Sequence, residues 1–214
     1  ARPSGTAHRP VPHIAWHRIA ASVIRSRAVP SATHNDRVLI RRELPADVRA
    51  IADVHRAAFA PFTPEGHEPV EPGLVASLRV SDAWLPPLSL VAEDASGAIV
   101  GHVVATRGHV GTTPALGLGP LGVRPDSQRS GVGGALMHAV LGAADALDES
   151  LVLLLGHPDY YPRFGFVPAA GLGISPDVEE WTSHFQARAR TAHDPGLRGP
   201  FRYAEPFYAL EEQA

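Results

Sequence analysis

Three glycines near the middle of the chain, Gly131, Gly133 and Gly134, stand at the mouth of an amphipathic segment, directly behind Gln128-Arg129-Ser130. Val132, Leu136, Val140, Ala143 and Leu147 recur every three or four residues, which predicts one apolar helix face. The first N–H groups of a helix have no intrahelical acceptor, and the helix dipole adds partial positive charge at that end. A phosphate satisfies both. Glycine lets such a ligand approach the main chain, at a cost of about 1 kcal/mol each relative to alanine inside a helix. The same glycines also suit close packing of helix on strand, so the sequence supports two readings of them.

Known phosphate loops narrow the choice. A Walker loop ends in Gly-Lys-Ser/Thr, and the chain has no lysine at all. A dinucleotide fingerprint asks for Gly-x-Gly-x-x-Gly. Gly131 and Gly133 fit it, but Leu136 stands at the third position.

The longer string Val123-x-Pro125-x-x-Gln128-Arg129-x-Gly131-Val132-Gly133-x-x-Leu136 resembles the acetyl-CoA signature of the GCN5-related N-acetyltransferases (GNAT). A second string, Leu155-Gly156-x-Pro158-x-Tyr160-Tyr161-Pro162-Arg163-Phe164-Gly165-Phe166, is similar to one bacterial branch of that superfamily. Gly101-His102 and Leu118-Gly119-Pro120-Leu121 look like the same branch. The resemblance covers roughly residues 38–210. It implies an α/β (α+β) fold with a mixed, mostly antiparallel central sheet of about six to seven strands, flanked by about four helices. It also implies acetyl-CoA as co-substrate, with its diphosphate held by Gln128, Arg129, Ser130, Gly131, Val132, Gly133 and Gly134. The preceding strand, Leu121, Gly122 and Val123, would hold the pantetheine, and Tyr161 would sit by the thioester sulfur.

Acetyl transfer to an amine poses two proton problems. A primary amine with a pKa of about 10.4 is nearly all protonated at pH 7, so a base must act. Glu65, His67, Glu68 and Glu71 lie in a loop that such enzymes use for substrate contacts; His102 and His109 are further candidates. The leaving thiolate then gains from a donor. A tyrosine of ordinary pKa gives its proton to a thiolate uphill by roughly 2 kcal/mol, so Tyr161 is expected to donate a hydrogen bond and complete transfer late. A main-chain N–H near residues 121–123 would stabilise the carbonyl oxygen. Gly119, Pro120 and Gly122 suit the bulged, partly unpaired strand this needs. Arg129 can pair with a CoA phosphate, Gln128 is expected to position the loop, and Arg163 serves either CoA or Asp159. The chain has no cysteine, so direct attack in a ternary complex is expected, with a small-molecule or peptide amine as acceptor. A non-catalytic acyl-CoA sensor or scaffold is the alternative.

The 214 residues, 44% hydrophobic with a formal net charge of -3, are enough for one domain with a sizeable core. The charge argues against general nucleic-acid binding. No apolar run is long enough to span a membrane. Absence of cysteine agrees with a cytoplasmic location. No metal is expected: His13 and His17 stand at i, i+4 but lack a third ligand. Homodimerisation is left open. Residues 1–36 are rich in Ala, Arg, Pro, Ser and His, with no acid before Asp36; they read as a disordered extension, or as a membrane-surface helix over 13–28. The transferase domain is expected over 37–214. Within it, strands are predicted at 38–40, 88–92, 99–105 and 151–155, the last buried and parallel to its predecessor across the central helix. Helices are predicted at 44–58, with Val48, Ile51, Val54 or His55, and Ala58 inward, and at 74–79. Residues 107–115 read as a turn region, 177–192 has helical spots, and 201–210 supplies the last strand. The stretch 179–199 reads as a lid or a surface insertion.

Overall fold

The computed structural model describes residues 38–209. The N-terminal extension, the stretch 13–28 read as a possible membrane-surface helix, the His13–His17 pair and the chain beyond residue 209 lie outside the described residues.

Three antiparallel strands make the frame: β2 (Ser89–Glu93), β3 (Ile99–Val110) and β4 (Thr113–Val123). Asp94 turns β2 into β3, its carboxylate accepting from Ser96 N and Ala98 N. The predicted turn at 107–115 shrinks to a tight reversal between Val110 and Thr113, and both strands run on through it. Phe201 covers this extension: a Cβ on Gly108 would collide with its ring. β1 (Leu39–Arg42) pairs with β2 at the sheet edge.

β4 feeds α3 (Val132–Ala146), which returns the chain to β5 (Leu151–Leu155), parallel to β4. The crossover predicted from strand–helix–strand order is therefore present. Leu147 caps this helix and is 44% exposed rather than on its buried face. β6 (Val167–Pro168), β7 (Ile174–Pro176), β8 (Phe185–Ala189), β9 (Gly199–Arg202) and α4 (Pro206–Ala209) follow. The sheet order is β1-β2-β3-β4-β5-β8-β6, with β9 on β3 and β7. The mixed, mostly antiparallel sheet and the four α-helices among the described residues match expectation. The described strands number nine, because the short β6 and β7 extend the expected six to seven. The stretch 179–199 is largely structural: β8 pairs with β5 along its whole length, and Trp181 is buried.

α1 (Val48–Phe59) and α2 (Glu71–Arg79) pack on one sheet face and α3 on the other. Ile51, Val54, His55 and Ala58 point inward as predicted; Val48 is 38% exposed. Residues alternate sides along a strand. Val103 and Ala105 therefore meet Leu136 and Val140 of α3, while His102 and Val104 face α1 and α2.

Candidate active site

β4 loses its partner on one side part-way along. Its ladder with β5 holds Leu116 to Val152 and Gly117 to Leu153, then ends. On the other side it stays paired with β3 up to Val123, with a bulge where Gly119 and Pro120 add a residue against Val104. Arg124 N–H donates to Val100 O at 2.9 Å, towards β3. By alternation the main-chain groups of Leu121 and Val123 face the open edge. Gln128 Nε2 donates to Val123 O at 3.0 Å, which confirms that direction and ties the loop to the strand. The main chain of Gly122 faces β3, so within 121–123 the open amides are those of Leu121 and Val123.

The loop after β4 is wound tightly. Pro125–Ser127 form a 3-10 turn, and Ser130 Oγ donates to Ser127 O at 2.7 Å. Arg129 (φ 65°) and Gly131 (φ 95°) are both left-handed. For arginine that is an uncommon backbone of the kind found at ligand clamps. Ala135 N bonds to Gly131 O at 2.9 Å as the first rung of α3. The amides of Gly131, Val132, Gly133 and Gly134 precede that rung and have no acceptor within the helix. The two readings of the glycines divide here. A Cβ on Gly131 or Gly134 would meet nothing within 4 Å, whereas one on Gly133 would lie 3.2 Å from the Tyr160 hydroxyl. Arg129 is exposed and has no carboxylate partner among the described residues, while Arg124 is held by Asp126.

Tyr161 opens the 3-10 turn Tyr161–Phe164 that follows β5. Its ring lies against Gly156, just past β5, so closely that only glycine fits. It meets Tyr160 and Phe166 edge-on, at 5.0 and 5.8 Å. Burial pushes its phenol well above the ordinary range, with the Tyr160 phenol adding to the effect, so it stays protonated. Arg163 stacks over Tyr160 at 4.6 Å and reaches only the main-chain oxygen of Asp159.

The candidate bases separate by burial. Glu65, His67, Glu68 and His109 are exposed. His102 is fully buried with both ring nitrogens engaged, so no substrate reaches it directly. Glu71 differs from all of these. It opens α2, is 4% exposed, and its carboxyl is raised by burial to about 7 against only its own main-chain N–H.

A buried chain of polar groups was not foreseen. Arg79 donates to both oxygens of Glu43, at 2.8 and 3.1 Å. Ser89 Oγ donates to Glu43 at 2.6 Å and lies 2.9 Å from His102 Nε2; His102 Nδ1 is 2.8 Å from His55 Nε2. Burial opposes a charge on Glu43, but bonds from His102, Arg79 and Ser89 outweigh it and lower the carboxyl to about 2. An ionised Glu43 fixes the order of protons. Ser89 donates to it, His102 Nε2–H donates to Ser89, and His55 Nε2–H donates to His102 Nδ1. His55 Nδ1 is left as a bare lone pair facing Gly122, where a Cβ would stand 2.8 Å from it. The sequence hint was a histidine on the apolar face of α1. Because Glu43 is lowered from 4.5, its contribution is present above pH 4.5 and lost as pH falls towards 2. Glu43→Gln is expected to lower stability by about 3 kcal/mol at pH 7, and the difference should shrink in acid unfolding curves over that window.

Among the described residues, no group of three His, Asp or Glu gathers as a metal site, and no helix is long and apolar enough to cross a membrane.

The family model for the acetyltransferase (GNAT) domain matches residues 87–168, the segment holding the β4 opening, the glycine loop and Tyr161. The N-acetyltransferase YjhQ of Escherichia coli K12 is 36% identical over 169 residues, covering 75% of this chain and 89% of that protein. The chain belongs to the GNAT acetyltransferases. Among solved GNAT structures, a Brucella melitensis enzyme in complex with acetyl-CoA is 31% identical, with a TM-score of 0.65 over 81% of this chain and 99% of that one. E. coli YhbS in complex with CoA is 27% identical, with a TM-score of 0.69 over 85% of this chain and 96% of that one.

Proposed function

We propose that residues 37–214 form an acetyl-CoA-dependent N-acetyltransferase that moves an acetyl group to the amine of a small molecule or peptide by direct attack in a ternary complex. The parting of β4 from β5 after Gly117, beside helix amides that have no acceptor within α3, carries the reading. Similar chains hold CoA or acetyl-CoA, and the donors here suit that group. The amides of residues 129–134 and the free Arg129 guanidinium take the diphosphate. Gln128 anchors the loop to Val123 O. The open N–H groups of Leu121 and Val123 bind the pantetheine and polarise the thioester oxygen, and Gly122 is the small residue that admits His55 behind them.

Glu71 acts as general base, directly or through water. A carboxyl near 7 takes a proton at neutral pH far better than an ordinary one. The amine attacks the carbonyl carbon, the C–S bond breaks, and Tyr161 donates a hydrogen bond to the departing sulfur. Its raised pKa makes early proton transfer costly, so full transfer comes late.

Tyr161→Phe is expected to lower kcat about a hundredfold while leaving CoA affinity unchanged. Thiol release with an amine panel, alongside calorimetry with CoA, checks both. CoA binding with no thiol release from the parent protein would favour a sensor module instead. Full activity in Tyr161→Phe would remove Tyr161 from the chemistry.

A further inference from the structure

His55 Nδ1 is a buried side-chain atom without a hydrogen-bond partner among the described residues. Its ring is firmly seated all the same. Phe59 stacks on it with ring centres 5.9 Å and planes 13° apart, and His102 meets it edge-on at 5.0 Å. The nitrogen lies against Gly122: a Cβ there would stand 2.8 Å from Nδ1 and 3.6 Å from the Ala58 methyl. One Cα hydrogen of Gly122 takes the direction of that Cβ, so it points at the lone pair, a weak hydrogen bond.

Gly122 separates Leu121 from Val123, the two residues whose N–H groups face the opening. Its own main chain pairs with that of His102. His102 therefore holds Gly122 twice, directly through its main chain and through its ring by way of His55. The chain behind that ring is drawn from separate elements. Glu43 follows β1, Ser89 opens β2, His102 lies in β3 and His55 in α1. A carboxylate only accepts, so every link donates towards Glu43 and the last nitrogen, at Gly122, carries no proton. The opposite order would press an N–H against the Cα of Gly122. A buried nitrogen without a partner costs on the order of 1–3 kcal/mol, and such a departure from local economy is expected at a functional site.

We propose that His55 is a positioning residue for acetyl transfer: its unprotonated edge backs Gly122, and the Glu43 carboxylate, through Ser89 and His102, fixes that edge so that the N–H groups of Leu121 and Val123 are aimed at the thioester oxygen. This rests on the transferase reading above. His55 is sealed from solvent and touches no substrate; it acts through the strand. Donors to a developing oxyanion work at about 2.7–3.1 Å, and a misplacement of about 1 Å can cost a hundredfold in rate. The diphosphate amides at 129–134 are on the far side of the loop from this ring, so the effect belongs to kcat rather than to CoA affinity.

The test combines steady-state thiol release from acetyl-CoA, with a panel of primary alkylamines, and calorimetry with CoA. It compares the parent, His55→Gln, Gly122→Ala and the double variant. Glutamine keeps a donor for His102 Nδ1 but removes the ring edge behind Gly122. His55→Gln should lower kcat at least tenfold and leave the KM for acetyl-CoA and the affinity for CoA unchanged. Gly122→Ala should also lower kcat, because its methyl collides with the ring. The double variant should exceed both single variants in kcat, since the new methyl then backs the strand in place of the ring. Nitrogen NMR of the parent, which needs no variant to fold, should show His55 Nδ1 unprotonated and its resonance moving when CoA binds. A protonated Nδ1 in the parent, unchanged kcat in His55→Gln, or kcat and both constants shifting together with Tm would overturn the proposal and leave the transferase reading intact. No CoA binding, or CoA binding without thiol release by the parent, refutes the transferase reading and this inference with it.

Discussion

Glu71→Gln is expected to make the protein more stable and nearly inactive. The Glu71 carboxyl is raised from 4.5 to about 7 by burial, so its protonated form is favoured in the folded state. The sign follows from linkage. Below pH 4.5 the group is protonated whether the chain is folded or not, and contributes nothing. From 4.5 to 7 folding must retain a proton that the unfolded chain releases, so stability declines as pH rises. Above 7 the full penalty of about 3 kcal/mol is present. Glutamine cannot ionise, so Glu71→Gln should gain up to that amount at pH 8 and very little at pH 4.5, read by denaturant midpoints. Turnover should fall by a factor of about 10² to 10³ if Glu71 is the base. The parent's kcat/KM should have an acid limb near pH 7 that the variant lacks. A variant that is more stable and still fully active would leave Glu71 as a buried acid without catalytic work. Sites poised for function at a cost in stability are where such opposite effects arise.

Gly134→Glu is the second large effect, and it again separates fold from function. Gly134 is the third residue of α3, and a side chain there meets nothing within 4 Å. Glutamate is favourable at this position of a helix, both for the dipole and for capping, and removing a helical glycine gains about 1 kcal/mol. Tm should therefore hold or rise. The new carboxylate would occupy the place proposed for a diphosphate, and CoA affinity should fall at least a hundredfold, about 2.7 kcal/mol. A calorimetric titration decides it. Unchanged affinity would mean that the diphosphate binds elsewhere.

What the sequence made legible was local. The loop Gln128–Gly134, its helix and the Tyr161 string each sit within one short stretch, and the physics that marks them, bare helix amides and glycine freedom, acts over a few residues. The buried run at 151–155 could be read for the same reason. Other parts depended on distant partners. β8 lies in Phe185-Gln186-Ala187-Arg188-Ala189, residues that favour a helix in isolation, and the edge of β5 overrides that preference. Val110 and Thr113 close a long hairpin because Phe201, ninety residues on, covers Gly108. His55 read as a core residue because its partners, His102, Ser89 and Glu43, come from three other segments. Glu71 stood among four candidates in one loop, and only burial singles it out.

Acetyl transfer at this site requires that a thioester carrier be held by the amides of residues 129–134. A crystal structure of the protein with CoA tests this most directly. The diphosphate oxygens should lie within hydrogen-bonding distance of main-chain N–H groups in residues 129–134, with the thiol between Leu121 and Tyr161. Diphosphate bound at any other surface, or a thiol directed away from the gap between β4 and β5, would contradict it.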